Sequence, residues 1–129
     1  MSTIAAGNGT AVGAVQLYVE GVAKGDAATL DQAFQEGAWM FGSVGGQRLD
    51  MPITEMIKLI VEKPADVDGT FAATVRSVEE EGDVAVVAVE EHGFWGTLSF
   101  VDFMSVVRID GSWKIVNKVF EHTGGTPPS

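Results

Sequence analysis

Residues 98–121, "LSFVDFMSVVRIDGSWKIVNKVFE", decide the fold. Two runs of alternating apolar residues flank Asp110-Gly111, and Asp-Gly between such runs is a strong signal for a two-residue hairpin turn. The turn sets a register. Ile109 is expected to face Ser112, Val106 to face Ile115, Met104 to face Asn117, Asp102 to face Val119 and Phe100 to face Glu121. One side then carries Leu98, Phe100, Asp102, Met104, Val106, Trp113, Ile115, Asn117 and Val119. The other carries Val101, Phe103, Ser105, Val107, Lys114, Val116, Lys118 and Phe120, and its lysines mark it as the wetter side. Asp102 points among apolar neighbours, where a carboxylate is costly unless something partners it or uses it.

The period of two extends upstream to residue 70. Four strands are expected, over 70–81, 84–92, 98–109 and 112–121, with Gly82-Asp83 as a second two-residue turn. If residues 93–97, "GFWGT", form a five-residue loop, then His92 faces Leu98, Glu90 faces Phe100 and Ala88 faces Asp102. Glu90, His92, Asp102, Asn117 and Glu121 would then share one face, and small Ala88 would leave room beside the carboxylate. A slip of one residue would reverse this strand's faces.

Before residue 70 the period is helical. Val12, Val15, Val19 and Val22 recur at spacings of three and four with Tyr18 beside them, predicting a first helix that stops at Gly25. Asp26 is a new N-cap, and "AATLDQAF" a short second helix with Leu30, Ala33 and Phe34 inward. "AWMFG" and "GQRLD" flank Val44-Gly45-Gly46 as a short hairpin. "PITEMIKLIVEK" is a third helix, with Pro52 in its first turn and an apolar stripe of Ile53, Met56, Ile57 and Ile60. Helices first and an antiparallel meander after them predict an α+β domain, with three helices packed on the concave face of a curved sheet. The domain is expected over 11–122, between a flexible lead (1–10) and a flexible tail (123–129).

Composition narrows the function. The chain has 129 residues, of which 46% are hydrophobic, and a formal net charge of -10. That length and apolar content suit one domain with a real core. The acidic balance argues against nucleic acid, which needs a basic face, and against anionic membrane surfaces. Without cysteine, thiolate metal sites, disulfides and cysteine nucleophiles are excluded. No apolar run approaches a membrane span, and "MSTIAAGNGT" lacks the features of a signal peptide, so a cytoplasmic location is expected. "GNGTAVG" imitates a dinucleotide fingerprint, but too few residues precede it for a strand to feed the turn.

The succession of helices, strand pair, third helix and meander, ending in "GSWKIVNKVFEH", resembles the cone-shaped nuclear transport factor 2-like superfamily. Within it, "YVEGVAKGDAATLDQAFQEGAWMFGSVGGQRLD" and "DGSWKIVNKVF" resemble the bacterial family called putative lumazine-binding, over roughly residues 12 to 122. The resemblance implies a cavity between sheet and helices, a homodimer, and relatives that include ketosteroid isomerase, scytalone dehydratase and polyketide cyclases. The isomerase site is not carried over. It needs a general-base Asp with a Tyr and a protonated Asp, and only one carboxylate can be aligned here.

The candidate site follows. Asp102 is the candidate general base or ligand-orienting group, and His92 a candidate proton shuttle beside it. The alternative for Asp102 is a structural role, bonded to a helix end or to Tyr18. Tyr18, Trp39, Phe41, Ala88, Glu90, Phe100, Met104 and Asn117 are the candidate pocket lining. His92 and His122 with Glu90 and Glu121 match no metal-ligand spacing, so neither metal nor cofactor is expected. Trp95, in a glycine-flanked loop, suggests a lid or a subunit contact. Trp113 is expected to stack with Arg108. The favoured function is binding of a small cyclic or aromatic metabolite. The alternatives are a cofactor-independent isomerase, dehydratase or cyclase, and a non-catalytic dimeric accessory module. The homodimer would form through the outer sheet face at Val101, Phe103, Val107, Val116 and Phe120.

Overall fold

The Asp110-Gly111 turn forms, with both residues at positive φ (51° and 82°) and Ile109 opposite Ser112. The computed structural model describes residues 5–127. Its helices are α1 (Ala11–Lys24), α2 (Ala27–Ala33) and α3 (Ile53–Glu62). Its strands are β1 (Phe34–Phe41), β2 (Ser43–Val44), β3 (Gln47–Arg48), β4 (Met51–Pro52), β5 (Ala72–Glu81), β6 (Val84–Phe94), β7 (Leu98–Ile109) and β8 (Ser112–Gly124). Six strands make one curved sheet in the order β4-β1-β8-β7-β6-β5. β1 runs parallel to β8, and every other neighbouring pair is antiparallel.

The helices start and stop where local chemistry says they should. Thr10 caps α1 by accepting from the Gly13 N–H, and Gly25 ends it in the left-handed conformation (φ 70°). Asp26 caps α2 through the N–H groups of Ala28 and Thr29. On α3 the buried residues are Ile53, Met56, Ile57 and Ile60, the stripe that the spacing predicts. Pro52 stands at its N-cap rather than inside the first turn. Val15, Tyr18 and Val22 of α1 are buried, whereas Val12 and Val19 are only half-buried.

The "AWMFG"/"GQRLD" pairing is corrected. The hairpin across Gly45-Gly46 joins β2 to β3, while β1 belongs to the main sheet between β4 and β8. Within β1 the phase also differs from the expected one. Ala38 and Met40 face the core, and Trp39 and Phe41 are exposed, stacked at 6.1 Å on the outer side.

Two bulges set which residues face the helices. Val106 pairs with Ile115 as expected, but Ser105 then pairs with Asn117, so Val116 is an extra residue on β8. A bulge of this kind bends its strand and reverses the side-chain phase beyond it. Lys118 and Phe120 therefore turn inward, opposite Met104 and Asp102, and Asn117 and Val119 turn outward. The second bulge lies on β6 between Glu91, opposite Phe100, and Phe94, opposite Leu98. Gly93 sits in it at φ 70°, where an added Cβ would stand 2.0 Å from the Thr70 carbonyl oxygen. The loop is thus three residues long rather than five, and β6 is shifted by one place. Val87, Val89 and Glu91 face the core, and Glu90 and His92 face away.

The core lies between this inner sheet face and the helices, with Tyr18, Leu30, Met104 and Ile115 fully buried. Asn8, expected in a flexible lead, receives the Trp113 N–H on its carbonyl at 2.8 Å and donates from its side chain to the carbonyls of Gln32 and Trp113. Of the expected tail, Thr126 accepts from Thr97 Oγ1 at 2.7 Å. Residues 1–4 and 128–129 of the expected lead and tail lie outside the described residues.

Candidate functional site

Asp102 faces the helices from the middle of β7 and is 1% exposed. Directly above it, Tyr18 projects from α1, whose inward face is fixed by Val15 and Val22. The Tyr18 hydroxyl lies 3.0 Å from Asp102 Oδ2 and 3.1 Å from Glu91 Oε2. A hydroxyl has one proton to donate, so two acceptors cannot both be served by Tyr18. The second proton belongs to Glu91. Burial pushes its carboxyl well above the usual carboxylate range, the Asp102 charge and a hydrogen bond to Asp102 add to this, and Lys118 and Tyr18 oppose it. Burial, then the Asp102 and Glu91 charges, raise the Tyr18 phenol well above its ordinary value. Tyr18 and Glu91 therefore both hold their protons more tightly than they would in water. Beyond the proton that Glu91 and Asp102 share, Glu91 Oε1 and Asp102 Oδ1 are buried with no hydrogen-bond partner among the described residues.

Lys118 completes the cluster. It is 6% exposed, and its ammonium lies 4.8 Å from the Tyr18 ring, 5.2 Å from the Phe120 ring and 3.8 Å from Met56 Sδ. The aromatic faces supply part of the electrostatic compensation that water would give.

Asp102 and Lys118 line one cavity of about 60 Å³. Its remaining lining is apolar and comes from β1, the β2–β3 hairpin, α3, β6, β7 and β8, with Met40, Met56, Phe94, Phe100 and Phe120 prominent. Phe94, Phe100 and Phe120 form an edge-to-face chain, with centroids 5.4 and 5.6 Å apart. Trp95 closes one side. Its indole N–H donates to the Lys63 carbonyl at 2.7 Å, so it is a tethered wall rather than a free flap. Val44, Leu49 and exposed Leu59 also line the cavity.

Of the expected site residues, Asp102, Tyr18 and Phe100 come together here. Met104 is buried in the core, but not in the cavity wall. Trp39, Phe41 and Asn117 line a shallow depression on the outer face. Ala88 pairs with Phe103 and leaves no room beside Asp102. Glu90 lies 3.9 Å from Arg76 at the surface. His92 is exposed and bonds Ser99 Oγ at 3.0 Å, on the side of the sheet away from Asp102. His122, expected at the surface, is half-buried and accepts from the Gly45 N–H through Nδ1. Arg108 does lie over Trp113, at 5.6 Å. Among the described residues no three His, Asp or Glu side chains converge as metal ligands would.

Sequence reasoning missed Glu91 and Lys118. The signal for Glu91 was Gly93 between an acidic pair and Phe94, a bulge residue that turns the second Glu inward and lets Phe94 pack. Lys118 had no local signal.

Comparisons with known proteins agree with this architecture. A family profile described as "Putative lumazine-binding" matches residues 8–121. A curated relative, "Aldolase FrzH" of Cladobotryum sp, is 25% identical over 103 residues, 80% of this chain and 81% of its own. Among solved structures, an NTF2-like protein of unknown function from Silicibacter pomeroyi is 29% identical with a TM-score of 0.78, covering 87% of this chain and 92% of its own. A ketosteroid isomerase-like protein from Erwinia carotovora atroseptica superposes with a TM-score of 0.66 at 14% identity, covering 88% of this chain and 94% of its own. At that identity the likeness concerns the fold alone.

Proposed function

This chain belongs to the putative lumazine-binding family, and from that premise we propose that it binds a small molecule in the cavity floored by Asp102 and Lys118. One observation carries the reading. Asp102, a buried carboxylate, lines a cavity that is otherwise almost wholly apolar. Apolar walls with a few convergent polar groups are the composition of ligand sites. A ligand N–H or O–H offered to Asp102 would add a charge-assisted hydrogen bond to a carboxylate that the apo protein serves only through Tyr18 and Glu91.

Size refines the ligand. About 60 Å³ holds roughly four to six water-sized atoms. Drug-sized ligands occupy pockets of about 300–1,000 Å³. A compact ligand fits this volume. A flat cyclic one needs more room than the cavity offers as it stands.

A second reading, acid–base catalysis on the bound ligand, has its own support. Glu91 holds a proton, Tyr18 links it to Asp102, and Asp102 reaches the cavity, so a proton can be passed to or taken from a ligand without bulk water. The likeness to a relative named as an aldolase favours this chemistry, because aldol reactions move a proton next to a carbonyl.

Native mass spectrometry of the purified chain and of Asp102→Asn tests the primary reading. A bound small-molecule mass on the wild type that is lost or weakened at least about tenfold in a folded Asp102→Asn protein is expected, since an unmet hydrogen bond to a charged group is worth about 1.5–3 kcal/mol. Equal binding by both proteins would remove Asp102 from recognition. Wild-type protein that takes up no ligand from a metabolite extract would overturn the reading.

A further inference from the structure

We propose that Lys118 is a covalent carbonyl-capture residue: its amine forms an imine with a small aldehyde or ketone in the cavity, with Asp102 as the proton acceptor and donor. The inference rests on the reading of this cavity as a ligand site and names the class of ligand.

The placement of Lys118 is unlike that of the other lysines. Lys24, Lys58 and Lys63 are exposed and Lys114 is half-buried, whereas Lys118 is buried. Among the described residues, no carboxylate oxygen lies within 4.0 Å of its nitrogen. The nearest groups are a thioether and two aromatic faces. A lysine kept for ion pairing would touch a carboxylate, and one kept for solubility would be outside. This amine instead borders a cavity, held there only by a thioether and two aromatic faces. Desolvated lysines in apolar pockets are the ones that serve as amine nucleophiles.

Asp102 is suitably placed to assist. It pairs with Phe120, while Lys118 pairs with Met104. The two are therefore diagonal neighbours on one face, a spacing that long side chains bridge. The chemistry balances. Through one intervening water, since they are not in direct contact, the Lys118 ammonium passes a proton to the Asp102 carboxylate, and the free amine adds to the carbonyl carbon, forming the C–N bond. The resulting oxyanion takes up the proton now leaving the nitrogen, and Asp102 returns its own proton to that hydroxyl. The C–O bond then breaks, water leaves, and an iminium remains on Lys118. Ammonium plus carbonyl thus becomes iminium plus water with no change in net charge. The faces of Tyr18 and Phe120 that stabilise the ammonium stabilise the iminium as well. The same Asp102 carboxylate is then placed to take a proton from the carbon next to the iminium, a step that the imine makes easier.

Acetone, whose few heavy atoms suit a cavity of about 60 Å³, is the probe. The 129-residue chain is incubated with limiting acetone and sodium cyanoborohydride, and isopropyl groups are mapped by peptide mass spectrometry. Saturation-transfer NMR of acetone with the same protein reports non-covalent occupancy. Binding next to the amine should raise labelling of Lys118 at least about tenfold over Lys24, Lys58, Lys63 and Lys114, because a held carbonyl reacts as if at high local concentration. Asp102→Asn should slow Lys118 labelling and leave the other lysines unchanged. Lys118→Arg, which keeps the positive charge, should abolish the preferred site in a protein that still melts cooperatively. Saturation transfer without preferential labelling would overturn the imine and leave the ligand site standing. Neither transfer nor preferential labelling would overturn both.

Discussion

A carboxyl fully buried beside a second carboxyl keeps its proton, and Glu91 is in that position. The folded chain holds a proton there that the unfolded chain loses once the pH passes about 4.5. Stability therefore falls as pH rises from that value through the raised folded one, because the folded state binds the extra proton throughout that window. Glu91→Gln keeps the shape and removes the titration. Its melting temperature relative to wild type should rise as pH goes from 5 to 8. A constant difference across that range would mean that Glu91 is ionised in the folded protein. The wild-type trend alone would not decide this, since the excess of acidic residues also repels more at high pH. The difference between the two proteins isolates Glu91. That Asp102 pairs with Tyr18 was legible from the chain, as one of two readings of a carboxylate on an apolar face. That Glu91 rather than Glu90 joins it was not, because adjacent identical residues differ only in strand phase.

At the scale of the element, β8 carries the decisive irregularity. The β7–β8 hairpin follows its turn from Ile109–Ser112 to Val106–Ile115 and then gains one residue at Val116. The pairing of β1 with β8 shifts over the same stretch, between Phe34–Ile115 and Trp39–Asn117. Two neighbouring strands thus bend together, which gives the sheet the curvature that wraps the cavity. Removing Val116 should convert the bulge into regular strand. Ile115 and Lys118 would keep their inward phase and Asn117 its outward one. The deletion is therefore expected to fold and to melt cooperatively, with Lys118 still the least accessible lysine to acetylation. Removing Ser105 from β7 lacks this escape, since Met104 or Val106 would have to leave the core, and no cooperative melt is expected. If both deletions behave alike, the bulge does not set the phase of β8.

Across the whole molecule, the outer sheet face is the surface that carries exposed aromatic side chains together. Trp39, Phe41, Phe103 and Val119 stand on it, each 38–48% exposed. Phe120, expected there, is buried inside. Aromatic side chains at that exposure are commonly covered by a partner, and the homodimer expected from the sequence is proposed on this revised set. Light scattering coupled to gel filtration should give twice the chain mass for the wild type, and Phe103→Glu should return it to the chain mass. A wild-type monomer at tens of micromolar would refute the dimer. What the chain determines by itself is local. Alternation, caps and the turns at Gly82-Asp83 and Asp110-Gly111 specify which segments are helix or strand, and the third helix's stripe specifies its buried face. Each of those signals lies within one turn or one period of the backbone. Which side chains meet in the candidate site was decided only by tertiary structure. A one-residue bulge changes little locally, but it chooses between two opposite faces, and the burial of Phe120 beneath the helices and Phe94 against its aromatic neighbours favours one choice. Those distant contacts bring Glu91 and Lys118 to Asp102, and no pattern within either strand contains them.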